Sequence, residues 1–427
     1  MSNTNSDFHS RLLRLSEPIR EILRRTQYTP QQSSKVSTKD IILSLLPNNE
    51  EEEDSHASIK NLALACALIS SSRSSTHELL SWIPENLCVA GESALHEISK
   101  DYFSDFPGNN DEKVEELMVV DSGKKRLVIE LLPIVLPELK DGIEKSSIGK
   151  NNDAEDVSAS MARTPIGYGI LAAHQLRWFV AQVEKPNLAK ICNLVVPCAL
   201  TALDHSSPEV KGQGMVSFVH LAKNVSSGDL GLYGEVVLDA CCQNIASDDE
   251  IWIHVVELSV LLVTKLQQNN PRSPWHERIM NEMLGHLERQ PRNKERRIAW
   301  LRFIEPLLNA LGLFLLAHFR RIFPLFFQWM HSDDAETVLL VLDRLETIVR
   351  LTWIRNSPVI PRLVEELVSL YKESSMRKER DEIRPLILRI LMLLRKCKSL
   401  QFESAWSQYQ EDPNLSTVGK YIWTSSS

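Results

Sequence analysis

Apolar residues recur along this chain at the spacing of helices rather than of strands. In one stretch they stand at Leu188, Ile191, Val195, Ala199 and Leu203. In the next stretch they stand at Val210, Gly214, Phe218, Leu221 and Val225. Each run places one apolar stripe along a helix. A single helix cannot bury such a stripe alone, so the pattern predicts an all-α fold in which successive helices stack on one another.

The pairs of apolar runs repeat at a fixed period. Polar turns between the two runs fall near residues 207, 249, 292, 334 and 377, which are 42 or 43 residues apart. Pro197 and Pro324 lie inside first helices and are 127 residues apart, close to three periods. Two helices per period of about 42 residues are typical of a HEAT/armadillo-like α-solenoid. We therefore expect a right-handed superhelix of helix pairs.

The second helices carry similar start signals. A Ser or Asp followed three residues later by Glu is the signature of a capping box. Pro208, after Ser207, suits the first helical position. The sequence predicts three such boxes at the same phase of the repeat, formed by Ser206 with Glu209, Ser247 with Glu250, and Asp333 with Glu336.

The repeat phase is less regular before residue 166. Pro133 to Pro197 spans one period plus about 22 residues, and the surplus matches 141–163, which is rich in Ser, Asn and charge. The end of the chain is predicted to fray, with Trp423 docked. We predict N-terminal irregular helical repeats in 1–140, a flexible polar insertion in 141–165, HEAT-like repeats in 166–410 and a C-terminal tail in 411–427.

Composition narrows the class of protein. The chain has 427 residues and a net charge of −8, which gives no general attraction to nucleic acid. Its seven cysteines are scattered without a Cys-x-x-Cys, so we expect reduced thiols in a cytoplasmic protein that also occurs in the nucleus. The apolar stretch 307–329 is interrupted by Arg320 and Arg321. We interpret it as two buried helical pieces rather than a membrane span.

Motifs that carry chemistry are missing from the sequence. It has no Gly-x-Gly-x-x-Gly, P-loop, His-Glu-x-x-His or Gly-x-Ser-x-Gly motif. His174, His220, His254 and His318 lie among apolar residues, and we predict satisfied, partly buried side chains. No catalytic residue, cofactor-binding residue or metal ligand is assigned, and the chain is expected not to be an enzyme.

Two of the turns are basic. One holds Arg289, Arg292, Lys294, Arg296 and Arg297, and the other holds Arg377, Lys378 and Arg380. They lie two periods apart at the same phase, so they are either a solvated rim or an electropositive edge that binds an acidic partner. Gly212 and Gly214 lie inside a second helix, which indicates close approach by either the neighbouring repeat or a partner helix.

A longer stretch, 171–245, resembles a known family. The residues that carry the resemblance are Trp178-Phe179, Pro186-x-Leu188, Pro197 followed by Leu203-Asp204, Lys211-x-x-Gly214 and Leu230-x-x-Tyr233-Gly234. They are similar to the second-member branch of the Tti family, the Tel-two-interacting proteins, and the similarity covers about 166–400. The family favours two adjacent acids at the turn, whereas this chain has Asp204-His205.

The resemblance implies a function as well as a fold. Tti proteins are helical-repeat scaffolds of the Triple-T (TTT) complex, with Tel-two and the first Tti protein. This cochaperone adaptor links phosphatidylinositol-3-kinase-like kinases to the ninety-kilodalton heat-shock chaperone, and supports kinase maturation and the DNA damage response. The resemblance also implies that the chain is a subunit of a hetero-oligomer. It implies no binding to nucleic acid, to a membrane or to a cofactor. The alternative is another HEAT/armadillo adaptor, of the nuclear-transport or vesicle-coat type.

The residues that we predict to bind a partner come from the resemblance, from the close-approach glycine and from the basic turns. They are Trp178, Asp204, Lys211, Gly214, Arg292, Lys294, Arg296, Arg297, Arg377, Lys378 and Arg380.

Overall fold

The chain is an all-α protein of HEAT-type helix pairs. The computed structural model describes residues 2–28, 36–48, 55–105, 123–147, 162–355 and 358–424, and no strand occurs within these ranges. It divides into two compact units, Met1–Tyr233 and Gly234–Ser427. The boundary between the units therefore falls inside the segment 166–410, which the sequence analysis treats as one block of repeats.

The first unit consists of helices that pack on their neighbours in two rows. Its helices are α1 (Ser2–Arg25), α2 (Thr38–Leu45), α3 (Ser55–Ser71), α4 (Glu78–Ser81), α5 (Glu85–Asp105), α6 (Gly123–Lys145), α7 (Ile166–Ala181), α8 (Asn187–Lys190), α9 (Cys192–Leu203), α10 (Pro208–Asn224) and α11 (Ser227–Gly231). One row runs through α1, α5, α6 and α9, and the other through α3, α7 and α10. Because each helix touches the next in its row, a continuous apolar core forms between the rows.

The second unit has the same two-row arrangement. Its helices are α12 (Gly234–Asn244), α13 (Trp252–Leu266), α14 (Pro274–Arg289), α15 (Lys294–Phe303), α16 (Glu305–Leu311), α17 (Phe319–Met330), α18 (Ala335–Thr352), α19 (Ile360–Glu373), α20 (Arg380–Cys397), α21 (Ser399–Trp406) and α22 (Ser416–Thr424). First helices α12, α14, α17, α19 and α21 form one row, and second helices α13, α15, α18 and α20 form the other.

The predicted period is present in the structure. Second helices begin at Pro208, Lys294, Ala335 and Arg380, and a 3-10 turn at Asp249 leads into α13. These starts lie 41 to 45 residues apart, so the five polar turns of the sequence are the turns within five helix pairs. Pro197 and Pro324 both lie inside first helices, as expected. The handedness of a superhelix stays a prediction.

Two segment boundaries differ from the prediction. Helix α6 continues to Lys145, so the first five residues of the segment assigned as a flexible insertion are helical. Residues 148–161 lie outside the described residues. The tail does not fray before residue 424, because α22 buries Val418 and Ile422 and packs on α20. Trp423 lies against the guanidinium of Arg395, 4.0 Å from its ring centroid.

The three predicted capping boxes are wrong. Ser207 is the N-cap of α10 without a side-chain cap, and Glu209 instead binds His174. Asp248 precedes the 3-10 turn of the second box and also makes no side-chain cap. In the third, Asp334 rather than Asp333 caps α18 and accepts from the Thr337 amide. Glu209 and Glu336 instead bind side chains of neighbouring helices, His174 and Arg302 respectively.

The apolar stretch Glu305–Met330 is long and apolar enough to cross a membrane by length and composition alone, a test that a buried core helix also passes. The structure breaks it into α16, a 3-10 turn at Gly312–His318, and α17. Leu308, Phe323 and Phe326 are fully buried. The stretch consists of two helical pieces as predicted, but the break lies at Gly312–His318, and Arg320 and Arg321, which were expected to interrupt it, are inside α17.

Gly214 marks a close approach between two helices of one repeat, not a partner site. A Cβ at this position would lie 2.8 Å from the Ala202 Cβ and 3.3 Å from the Ala199 carbonyl oxygen. The glycine is therefore explained by packing within the protein, but the close neighbour is the first helix of the same repeat and not the neighbouring repeat that was predicted.

We expect Gly214→Ala to destabilise the first unit by about 2 kcal/mol in urea unfolding, because overpacking outweighs the gain in helix propensity. Gly231→Ala is the matched control: no atom lies within 4 Å of its added Cβ, so it should be neutral. Ala202→Gly should restore part of the loss. A Gly214→Ala protein as stable as the wild type would show that the two helices separate freely.

Candidate partner-binding edge

The polar turns of the second unit lie together at one end of its helix pairs. We call this surface the turn edge; it comprises the turns at 246–248, 290–293, 331–334 and 377–379 and the first residues of the second helices that follow. The basic residues singled out from the sequence belong to it. Their contacts decide which of them can meet a partner.

Arg296 is buried in the protein. Its side chain is 7% exposed and forms an ion pair with Asp249. It also donates from Nη2 to the Ser247 carbonyl oxygen at 2.9 Å and lies 5.2 Å from the centroid of the Trp252 ring. Arg296 therefore ties the start of α15 to the turn of the preceding repeat.

Arg297 makes the equivalent tie to the following repeat. It forms an ion pair with Asp334 and donates from Nε to the Thr337 hydroxyl at 3.0 Å. Burial acts to raise the pKa of Asp334, but hydrogen bonds from Thr337 and Arg297 outweigh it and lower that pKa. Arg377 in turn donates to the Ser332 carbonyl oxygen at 2.9 Å. Adjacent turns are thus linked through arginines.

The same device links other parts of both rows. A basic side chain pairs with an acidic side chain of an adjacent part of the array, and such pairs include Arg278 with Asp239, Arg302 with Glu336, Arg321 with Glu288, Arg344 with Glu305, and Arg389 with Glu346. These pairs fix the register between successive helix pairs.

The interpretation of the basic turns as a free electropositive edge therefore needs correction. Neighbouring repeats bind Arg296, Arg297 and Arg377, because their turns place carboxylate and carbonyl oxygens within hydrogen-bonding distance of these side chains. Arg292, Lys294, Lys378 and Arg380 are exposed, although Arg380 Nε lies 3.3 Å from Asp381. Of the seven residues of these turns that were predicted to bind a partner, these four keep the surface position that the prediction requires.

A groove opens on the turn edge between α13 and α15. Its volume is about 410 Å³, and it is lined by Asp249, Glu250, Ile253, Lys294, Glu295, Ile298 and Ala299. The apolar residues provide a floor and the charged residues a rim. Such a groove suits one or two partner side chains with an apolar stem and a charged head. Lys294 is the predicted site residue that the structure brings to it.

The candidate residues of the first unit have structural partners. Trp178 is half-buried, with the Phe179 ring edge-on at 5.1 Å and Lys124 Nζ 5.4 Å from its centroid. Asp204 is exposed at the C-terminal cap of α9, and Lys211 is half-buried. Gly214 is buried against Ala202 and is therefore not available to a partner.

A buried polar cluster that the sequence analysis did not identify joins α7 to α10. His174 is fully buried, and its Nε2 lies 2.8 Å from Glu209 Oε1. Gln213 donates to the same oxygen at 3.0 Å, and Arg177 donates to Gln213 at 3.0 Å. The sequence predicts a partly buried His174 and a capping box at Glu209, and nothing in the local pattern pairs the two residues.

Electrostatics keep this cluster in one protonation state. Burial lowers the pKa of His174 more than the hydrogen bond to Glu209 raises it. The hydrogen bond from His174 in turn lowers the pKa of Glu209. Neutral His174 therefore donates to ionised Glu209 at neutral pH, which is an arrangement for fixing two helices rather than for proton transfer.

Four buried cysteines are also held in one protonation state. Burial raises the pKa of Cys66 and Cys241 to about 12, and that of Cys198 and Cys242 to about 11. These thiols stay protonated at neutral pH and are poor nucleophiles. Among the described residues, no group of three His, Cys, Asp or Glu side chains is placed to hold a metal ion.

His331 on the turn edge is the opposite case to His174. Its ring lies between Glu366 and Glu373, at 2.8 and 2.9 Å. Burial lowers its pKa, but the two hydrogen bonds outweigh burial, and the pKa is raised above 6.5. A raised folded-state pKa contributes stability that is present below pH 6.5 and is lost as the pH rises through the folded-state value.

We therefore expect His331→Gln to be less stable than the wild type by about 1 kcal/mol at pH 6 and nearly equal to it at pH 9. Urea unfolding at both pH values measures the difference. The nearby Arg362 and Arg377 stay cationic throughout, so they do not change the comparison. A difference that is the same at both pH values would mean that the His331 charge contributes nothing.

Comparisons with known proteins give two relatives in sequence. No family model matches the chain. Over its full length the chain is 82% identical to the Arabidopsis thaliana protein "Uncharacterized protein At2g39910", of which it covers 97%. Over 210 residues, 46% of the chain, it is 24% identical to human TELO2-interacting protein 2, and that match covers 41% of the human protein.

Solved structures give a weaker similarity. The chain matches the structure described as "Crystal structure of Kap121p" with a TM-score of 0.48 and 12% sequence identity, over 91% of this chain and 45% of that one. It also matches an engineered protein with a TM-score of 0.40 and 11% identity, over 97% of each chain.

Proposed function

This chain belongs to the family of the Arabidopsis thaliana protein At2g39910, and from that premise we propose that it is a non-catalytic adaptor, a scaffold subunit of a TTT-type cochaperone complex. Its direct partners would be a first Tti protein and a Tel-two homologue. Through them it would support the maturation of phosphatidylinositol-3-kinase-like kinases. We place it in the cytoplasm and the nucleus.

One observation carries the proposal. The 24% identity to human TELO2-interacting protein 2 extends over 210 residues, about five periods of the repeat, rather than over one helix pair. By its name, that human protein interacts with TELO2. The family resemblance in 171–245 rests on different grounds, on particular residues such as Trp178, Asp204 and Gly214, and agrees with it.

The geometry supports an adaptor mechanism that is passive. Two rows of helices present extended surfaces, and the turn edge adds a groove with an apolar floor and a charged rim. A partner that covers several repeats would bury roughly 2,000 Å² or more, the range of obligate interfaces. Such binding holds other proteins in place without a chemical step.

The test is a reconstitution. The tagged full chain is co-expressed with the first Tti protein and the Tel-two homologue of the same organism and purified through a moderate-salt wash. We expect one stoichiometric complex in size-exclusion chromatography, and lower kinase levels in cells depleted of the chain. A chain that elutes alone, or that retains a Ran-type GTPase or coat subunits instead, would overturn the proposal.

A further inference from the structure

Part of the most apolar stretch of the chain is not used by the core. Gly312, with φ of 51°, ends α16 and starts the 3-10 turn before α17. Leu311 and Leu315 on either side are buried, whereas Leu313 and Phe314 are 47% and 49% exposed. Two neighbouring large apolar side chains therefore stand at the surface between two repeats.

A third exposed apolar residue lies at the same end of the second unit. Trp353 follows α18 and is 60% exposed. Helices α17 and α18 are joined by the turn 331–334, and the 3-10 turn at Gly312–His318 packs on α18. Because the connecting turn is at one end of α18, the 3-10 turn must face its other end. Trp353 ends α18, about 27 Å from the turn edge, and Leu313 and Phe314 precede the first residue of α17. All three therefore lie toward the end of this helix pair that is opposite the turn edge.

The backbone conformation at the exposed Trp353 is strained. Its φ is 53°, a left-handed conformation that glycine and asparagine adopt readily but a bulky residue rarely does. Ile354 has φ of 44° and is fully buried, so it anchors the turn while Trp353 faces solvent. Strained residues of this kind cluster at binding sites, where the strain presents a side chain. The fold itself gives no reason for tryptophan here.

The two segments that carry these residues have an excess of arginine. The stretches 306–330 and 347–364 contain no Asp or Glu, but contain five arginines. Arg321, Arg350 and Arg362 pair with glutamates. Arg320 and Arg355 are exposed, and within the described ranges neither side chain has a hydrogen bond or an ion pair. The exposed apolar residues are thus flanked by two cations without acidic partners.

We propose that this linker edge, formed by Leu313, Phe314, Arg320, Trp353 and Arg355, binds an amphipathic helix of a partner protein. The apolar face of that helix would cover Phe314 and Trp353, and its Asp or Glu residues would face Arg320 and Arg355. Three apolar side chains and two cations are few for stable attachment to a lipid surface. The proposal depends on the adaptor function in one respect only, which is the identity of the protein that supplies the helix.

The experiment places a photocrosslinker at the edge. The full chain with Phe314→p-benzoylphenylalanine is expressed in its own cells and irradiated, and the crosslinked peptide is sequenced by mass spectrometry. The expected product is a protein segment with apolar residues at helical spacing and acidic residues beside them. Crosslinks only to lipid, to a second copy of the chain or to a segment without acids, or no crosslink at all, would overturn the proposal.

Two variants separate binding from folding. Trp353→Gly removes the ring and accepts the left-handed φ without strain, so the urea midpoint should stay at or above that of the wild type. The crosslink yield should fall by about tenfold or more, because a central aromatic anchor is lost. Met376→Ser, which removes another exposed apolar side chain, should leave the yield unchanged. An undiminished yield in Trp353→Gly contradicts the proposal.

The result also distinguishes this inference from the proposed function. If the acidic segment belongs to neither a Tti protein nor a Tel-two homologue and the reconstitution gives no complex, the linker edge stands and the TTT assignment is wrong. If the reconstituted TTT-type complex forms and Phe314→p-benzoylphenylalanine crosslinks to no acidic helical segment, the assignment stands and the linker edge is not a docking site.

Discussion

Reversing both arginines that join the turns, Arg296→Glu with Arg297→Glu, is expected to unfold the second unit. The side chains are 7% and 12% exposed, and each new carboxylate would lie beside Asp249 or Asp334. The pair with Asp334 is buried on both sides, whereas Asp249 is 47% exposed, so one buried and one partly solvent-screened ion pair would become like-charge contacts. The two changes should together cost about 4 kcal/mol. Urea unfolding followed by circular dichroism, with limited proteolysis of the folded sample, measures the loss.

Matched controls show whether the effect comes from buried pairing. Arg292→Glu with Lys294→Glu changes the same charge in the same turn, but at exposed positions, and should alter stability by no more than about 0.5 kcal/mol. Arg296→Met keeps most of the volume without the charge and should cost about 1–2 kcal/mol. If the double reversal at Arg296 and Arg297 is as stable as the exposed pair, these arginines do not tie the repeats together.

The difference between buried and exposed cations also decides which variants can test partner binding by the basic turns. Reversing Arg292, Lys294, Arg296 and Arg297 together would weaken partner binding through unfolding and would say nothing about the surface. Arg292 and Lys294 alone test the surface, because they are exposed and Lys294 lines the groove between α13 and α15.

The repeat period and the turns were predictable because they depend on patterns that every repeat shares. Apolar stripes and polar turns recur whatever a given repeat touches, so the five turns fall where the period puts them. Segment ends were less predictable. Polar composition suggested a flexible insertion from residue 141, but Ile143 is fully buried and extends α6 to Lys145.

The partners of the charged residues were not predictable from a local window. A capping box joins residues three positions apart, whereas the carboxylates here bind groups about one repeat away. Arg296 and Asp249 are 47 residues apart, Arg297 and Asp334 are 37 apart, and His331 and Glu373 are 42 apart. Pairs of opposite charge near the repeat period were a signal that could have found these contacts.

The linker edge could be identified only from the backbone conformation of the folded protein. Leu313 and Phe314 belong to a stretch whose composition predicts burial, and nothing in the sequence marks the two that stay exposed. Trp353 follows an apolar run in which a core position was equally plausible. Only the left-handed φ of Trp353 and the 3-10 turn after Gly312 separate these residues from their buried neighbours.

Gly169→Ala is expected to be the most damaging small substitution in the first unit. A Cβ on Gly169 of α7 would lie 1.9 Å from Ser146 Oγ and 2.9 Å from Ser146 Cβ. Rotating the hydroxyl away does not remove the second clash, and it breaks the hydrogen bonds of Ser146 to His205 Nε2 and the Ile143 carbonyl oxygen, at 3.1 and 2.8 Å. Overpacking and the lost hydrogen bonds should together cost about 3 kcal/mol, more than the gain in helix propensity of about 1 kcal/mol.

Urea unfolding of the full chain checks this value, and a double variant checks its cause. Ser146→Ala alone should cost about 1 kcal/mol, because it loses the hydroxyl but keeps the Cβ. Combining Gly169→Ala with Ser146→Gly removes both clashing atoms, so the double variant should be more stable than Gly169→Ala alone. If Ser146→Gly gives no such rescue, the contact between the end of α6 and α7 is loose, and the glycine at 169 has another origin. Rescue would instead show that this joint between two helices requires a residue without a side chain.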